Sequence, residues 1–133
     1  MLKNFDKNQN YFKFYKRKNI PIVFIHGVGL DHEMWLPQVK SFKNNSILVY
    51  DLLGHGKTPL IKKDVKFEDF SNQLNNLLNN LNIDKINLVG FSFGSLIAIN
   101  FVKRFQKKVN KLVLISTVYK RSNLEKINVR ERF

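Results

Sequence analysis

The chain has 133 residues, 44% hydrophobic and 13% aromatic, which suits one domain with a buried core and excludes a disordered chain. It has no cysteine, which excludes disulfides and thiolate metal sites, and its three histidines leave little for a metal cluster. The net charge is +13, yet the lysines are dispersed and no zinc-finger, helix-turn-helix or RNP pattern accompanies them, so we read a solvated basic surface and expect no nucleic-acid partner.

Residues 1–10 are polar and are expected to fray. They hold no apolar signal core, and no later stretch approaches the ~18 apolar residues of a membrane span. The expectation is a cytoplasmic protein without a membrane partner. Tyr11–Lys16 alternates loosely and reads as a strand near a sheet edge. Ile20–Ile25 is a continuous apolar run, as in a strand covered on both faces, with Pro21 at its start. His26-Gly27-Val28-Gly29-Leu30-Asp31 follows as a tight glycine loop. A helix comes next, with Pro37 in its first turn and Val39 and Phe42 facing inward. Ser46–Tyr50 is another buried strand. It runs into Asp51 and the glycine-punctuated loop Leu52-Leu53-Gly54-His55-Gly56-Lys57-Thr58-Pro59.

Asp64 is a candidate N-cap for the next helix, with Glu68 and Asp69 in the first turn. Phe67, Phe70, Leu74, Leu77, Leu78 and Leu81 recur at spacings of three and four, the pattern of an amphipathic helix. Ile86–Val89 is a strand, and a helical pattern begins at Ser95. Between them stands Gly90-Phe91-Ser92-Phe93-Gly94. A serine on a sharp strand-to-helix turn holds its hydroxyl clear of its neighbours, and its flanking positions must be nearly free of side chain. The N–H groups that follow lie at a helix N-terminus, where an oxyanion is favoured. Lys111–Ser116 is one further apolar strand. The tail from Tyr119 is polar with sparse apolar residues.

Apolar strands alternating with helices imply an α/β fold: a predominantly parallel sheet with helices on both faces. In such sheets ligands bind at the carboxyl ends of the strands. His26, Asp51, Ser92 and Thr117 all fall at such ends, so one sheet edge should collect them. Two nucleotide-binding readings fail. Gly56-Lys57-Thr58 would need a glycine where Asp51 stands, and no G-x-G-x-x-G opens a helix.

Three segments together resemble the α/β-hydrolase family: His26–Gly29, Asp51–Lys57 and Gly90–Gly94, each following a strand and in the family's order. Gly27 to Asp31, running on to Met34-Trp35, is similar to the enol-lactonase and esterase branch. The resemblance implies a serine hydrolase that acts on a carboxylic ester or lactone through an acyl-enzyme on Ser92. It implies oxyanion donors in the backbone N–H groups of Val28 and Phe93, and a pocket lined by Trp35 and Phe91. It implies loop-building roles for His26, Gly27, Asp51, Gly54, His55, Gly56, Gly90 and Gly94, and no metal or other cofactor. His32 is expected to be an exposed loop residue. The partner expected is a small ester or lactone; no oligomeric state follows.

The family places the acid and then the histidine after the nucleophile. Here no histidine follows Ser92, and the only acids after it are Glu125 and Glu131. We therefore expect residues 1–133 to form the N-terminal part of a single domain, a partial fold without the C-terminal strands and most of the cap, with 119–133 beginning the cap region. Such a piece would turn esters over poorly by itself. It would also leave Leu112–Ile115 as an exposed apolar edge, an aggregation hazard. The competing expectation is a non-catalytic small-molecule binding protein, or an inactive fragment, on the same scaffold.

Overall fold

The computed structural model describes residues 2–117. Six strands appear in chain order: β1 (Leu2–Phe5), β2 (Tyr11–Tyr15), β3 (Ile22–Ile25), β4 (Ile47–Tyr50), β5 (Ile86–Phe91) and β6 (Val109–Ile115). Three α-helices accompany them, α1 (Leu36–Ser41), α2 (Phe67–Asn80) and α3 (Phe93–Arg104), with short 3-10 turns at His32–Trp35 and Gln106–Lys108. The strands form one sheet in the order β1-β2-β4-β3-β5-β6. β4, β3, β5 and β6 are parallel, and β2 runs against both of its neighbours.

The apolar runs of the central strands are explained by cover on both faces. Alternate residues go to opposite sides. Val23 and Ile25 of β3 join Leu48 and Leu88 against Leu74, Leu77 and Leu78 of α2 and Ile97 and Phe101 of α3. Phe24, Ile47 and Val49 point the other way and pack on Trp35, with Met34 and Val39 beside them. Each fully buried leucine of α2 contributes roughly 1.5–3 kcal/mol. α2 closes with Asn82 in the left-handed region (φ 56°), and the Ile83 N–H returns to the Leu78 carbonyl at 2.9 Å.

Several boundaries differ from the sequence reading. Residues 2–5, expected to fray, pair with β2. The cause is Asp6, whose Oδ1 accepts the N–H groups of Asn8 and Asn10 at 2.9 Å each and so builds the intervening turn. The N-cap of α2 falls two residues beyond Asp64, at Lys66, whose N–H donates to Asp69 Oδ2 at 2.7 Å. Phe42 is not inward but exposed. Residues 119–133, read as the start of a cap, lie outside the described residues beyond Thr117.

Tyr50 sits fully buried in the larger core with no hydrogen-bond partner for its hydroxyl among the described residues. Burial without a partner pushes its pKa far up. A lone buried hydroxyl costs about 1–3 kcal/mol. Tyr50→Phe is therefore expected to raise stability by about 1 kcal/mol, read as a higher urea midpoint at unchanged slope.

Candidate active site

β5 ends at Phe91 and α3 begins at Phe93, so a single residue, Ser92, makes the turn. Its backbone lies at φ 54°, ψ −117°, a region L-residues rarely occupy. Such a conformation costs about 1–3 kcal/mol and persists only where its surroundings over-determine it. They do so here. The Ser92 N–H donates to the Ile115 carbonyl at the end of β6 (2.9 Å). A Cβ on Gly90 would run into the Gly94 carbonyl oxygen and lie 2.7 Å from Ser95 Cα. A Cβ on Gly94 would strike the carbonyl oxygens of Ile25 and His26. α3 thus starts directly against β5 and the end of β3, which only side-chain-free positions permit.

That contact also brings the loop after β3 beside the elbow. Gly27 faces the ring of Phe91, with a Cβ there 3.2 Å from its Cδ1. Among the described residues, neither the Val28 N–H nor the Phe93 N–H donates a hydrogen bond. Ser92 is the N-cap residue of α3, yet its hydroxyl caps no backbone N–H. Two free amide donors and an uncommitted hydroxyl therefore share the carboxyl end of the sheet.

The histidines are occupied elsewhere. His26 is fully buried; its Nδ1–H donates to the Gly27 carbonyl (2.7 Å) and its Nε2 accepts the Leu52 N–H (3.0 Å). That pairing fixes the neutral tautomer and ties the loop after β3 to the loop after β4. The His55 ring lies tilted against it, centroids 5.2 Å apart, and donates from Nδ1 to the Leu53 carbonyl at 3.0 Å. His32, expected to be exposed, is instead buried against Asp51. Both its N–H and its Nδ1 bond Asp51 Oδ1, at 2.8 and 2.7 Å. The partners are 19 positions apart, and nothing local in the sequence signals their meeting.

Asp51 is buried and also accepts the Lys57 N–H on Oδ2 at 2.9 Å. Gly56 (φ 51°) passes so close that a Cβ would overlap this carboxylate. Gly54 makes the other left-handed step of the loop (φ 73°). Gln73 of α2 holds the loop from below, accepting the Leu53 N–H and donating to the Asp51 carbonyl. Asp31, His32 and Asp51 offer one ligand atom each within 4.8 Å of one another. Those of His32 and Asp51 are spent on each other, and Asp31 Oδ1 accepts the Glu33 N–H.

Trp35 was expected in the substrate pocket. It is buried on the sheet flank, 4.8 Å from Phe24, and borders a groove of about 370 Å³ with Phe42, Val113 and Ile115. Ser92, Val28 and Phe93 do not line that groove. Phe91 is half-buried beside the glycine loop.

A family model described as the alpha/beta hydrolase fold matches residues 20–131. The chain belongs to the alpha/beta hydrolase family. Among its relatives is the (E)-2-((N-methylformamido)methylene)succinate hydrolase of Acinetobacter baylyi, 31% identical over 126 residues, or 94% of this chain and 48% of that protein. The 3-oxoadipate enol-lactonase 1 of the same species is 36% identical over 84 residues, 62% of this chain and 31% of the relative. A thermophilic esterase from Thermogutta terrifontis superposes with a TM-score of 0.81 at 27% identity, covering 92% of this chain and 46% of that one. This hydrolase-family chain thus spans less than half the length of each of them. No helix among the described residues is long and apolar enough to cross a membrane.

The buried His26 supports a pH prediction for this hydrolase fold. Burial is the largest influence and lowers its pKa from the ordinary 6.5; the Gly27 carbonyl acts the other way, His55 lowers it further, and Asp51 and Asp31 raise it. Between the lowered native value and 6.5 the unfolded chain binds more protons than the native one. Stability from this site is complete above 6.5 and falls as the pH drops below it. Urea midpoints measured from pH 7.5 to pH 5.5 should decline, and His26→Gln should flatten that decline.

Proposed function

We propose that the chain supplies the nucleophile and oxyanion side of a serine hydrolase for a small carboxylic ester or lactone. The observation that carries this is the uncommitted Ser92 hydroxyl on a strained turn that leads into the Phe93 N–H, with the loop that holds Val28 set against the same turn at Gly27–Phe91 and His26–Gly94. Ser92 Oγ attacks the carbonyl carbon and gives up its proton. The carbonyl oxygen becomes an oxyanion held by the two amides, each worth ~2.7–4 kcal/mol of barrier. Collapse expels the alcohol and leaves an ester on Ser92. The names of an enol-lactonase relative and of an esterase of like structure support this substrate class. Domain extent follows the same reading: residues 1–133 belong to one domain.

The proton acceptor is the weak point of the chain alone. All three histidines precede Ser92, and the ring nitrogens described above bond other partners. Acyl transfer to Ser92 should then be slow, and hydrolysis of the acyl-enzyme slower. At pH 9, where hydroxide takes the serine proton, we expect prolonged exposure to a fluorophosphonate probe to label Ser92 slowly, Ser92→Ala to abolish that labelling, and sustained ester turnover to be absent. Rapid turnover lost in Ser92→Ala would overturn the dependence on an added base. A second reading rests on the same uncommitted serine: a binding protein that holds the ligand without cleaving it. Failure of Ser92 to label, with the fold intact, would favour that reading.

A further inference from the structure

The Phe93 N–H and the Ser92 carbonyl belong to one peptide group, and in a trans peptide they point in opposite directions. Whatever holds that carbonyl therefore aims that amide. The Ser92 carbonyl oxygen accepts two bonds from one residue: the Ser95 N–H at 2.9 Å and the Ser95 hydroxyl at 2.5 Å. Ser95, in the first turn of α3, is fully buried, with its backbone held against Gly90 of β5. The other end of the unit is held as well. The Phe93 ring meets Phe70 edge-on at 5.3 Å and Phe67 at 6.0 Å.

We propose that Ser95 is a positioning residue: its hydroxyl locks the Ser92–Phe93 peptide plane so that the Phe93 N–H stays directed at the oxyanion. The proposal rests on the hydrolase reading of Ser92. The usual duty of an N-cap hydroxyl is to bind the amide three residues on. Here the direction is reversed. The third helical residue turns back to hold the N-cap carbonyl, and the Ser92 hydroxyl is left free for chemistry. A preorganised donor requires this kind of support from residues that do not touch the substrate.

The test uses the whole chain with p-nitrophenyl acetate at pH 9. A bond forms between Ser92 Oγ and the acetyl carbon, nitrophenolate departs with the electron pair, and hydroxide takes the serine proton. Acetylation at Ser92 is followed by peptide mass, with lysine acetylation as the internal reference. The Phe93 amide is followed by its ¹⁵N shift and exchange rate, and folding by the urea midpoint.

In folded Ser95→Ala, acetylation of Ser92 should fall about tenfold, lysine acetylation should hold, and the Phe93 amide should shift. Ser95→Gly, which also lacks the hydroxyl and adds no bulk or nucleophile, should behave likewise and serves if the alanine variant does not fold. A wild-type rate in either folded variant overturns the proposal, as does a slower rate with an unmoved Phe93 amide. If wild-type Ser92 is never acetylated, the hydrolase reading fails separately. The Phe93 amide then decides whether Ser95 sets the peptide plane.

Discussion

Gly90→Ala and Gly94→Ala are each expected to cost more than ~3 kcal/mol, enough to keep folded protein from accumulating. The reason is the partner each new methyl group meets. A flexible side chain could rotate aside. The atoms in the way are backbone: the Gly94 carbonyl and Ser95 Cα for position 90, and the Ile25 and His26 carbonyls for position 94. Relief would require α3 to lift from the sheet, which would uncover Ile97, Ala98 and Phe101, all fully buried. Gly29→Ala is the control. Gly29 is left-handed (φ 76°) but has nothing within 4 Å of its would-be Cβ, so only backbone strain applies, about 1 kcal/mol. Soluble yield and urea midpoints of the three variants should rank accordingly; equal midpoints would disprove the packing argument.

Asp51→Ala should be comparably damaging, about 3–5 kcal/mol. Its carboxylate is the shared acceptor for the His32 N–H, the His32 ring and the Lys57 N–H. Removing it strands three donors, two of them on buried His32, each worth about 1–3 kcal/mol if left unpaired. Asp51→Asn keeps the shape and one acceptor oxygen but turns an amide N–H toward one of the donors. Its loss should be intermediate. Urea midpoints at pH 7.5 measure both. A near-neutral Asp51→Ala would mean that the loop after β4 is held chiefly by Gln73, through its bonds to Leu53 and the Asp51 carbonyl.

The architecture could be read wherever one strong local pattern fixed one outcome. The continuous apolar runs at Ile22–Ile25 and Ile47–Tyr50 could serve only strands covered on both faces, and helices do cover both. Leu74, Leu77 and Leu78 announced the buried stripe of α2. The strand–turn–helix at Ser92 was legible because Gly-x-Ser-x-Gly sat between a strand run and a helical run. What could not be read depended on partners distant in the chain. β1, Leu2-Lys3-Asn4-Phe5, is too short and irregular for hydrophobic periodicity to mark it, and its pairing follows from the Asp6 turn. His32 carries no local sign of its burial against Asp51. Phe42 follows the last turn of a helix only six residues long, too short for periodicity to say which way it faces. Ser95 carries no sign of its bond to the Ser92 carbonyl, because the partner is a backbone oxygen, which no residue pattern encodes.

β6 pairs with β5 on one side, and Leu112, Val113, Leu114 and Ile115 are all exposed. This sticky margin belongs to a molecule of net charge +13. At low ionic strength the mutual repulsion of such molecules reaches well beyond strand contact; at about 0.15 M the Debye length shrinks to about 8 Å. Added sodium chloride would then remove the colloidal barrier while leaving the adhesive margin untouched. Purification of this polypeptide should proceed best in dilute buffer, against the usual practice for strongly basic proteins.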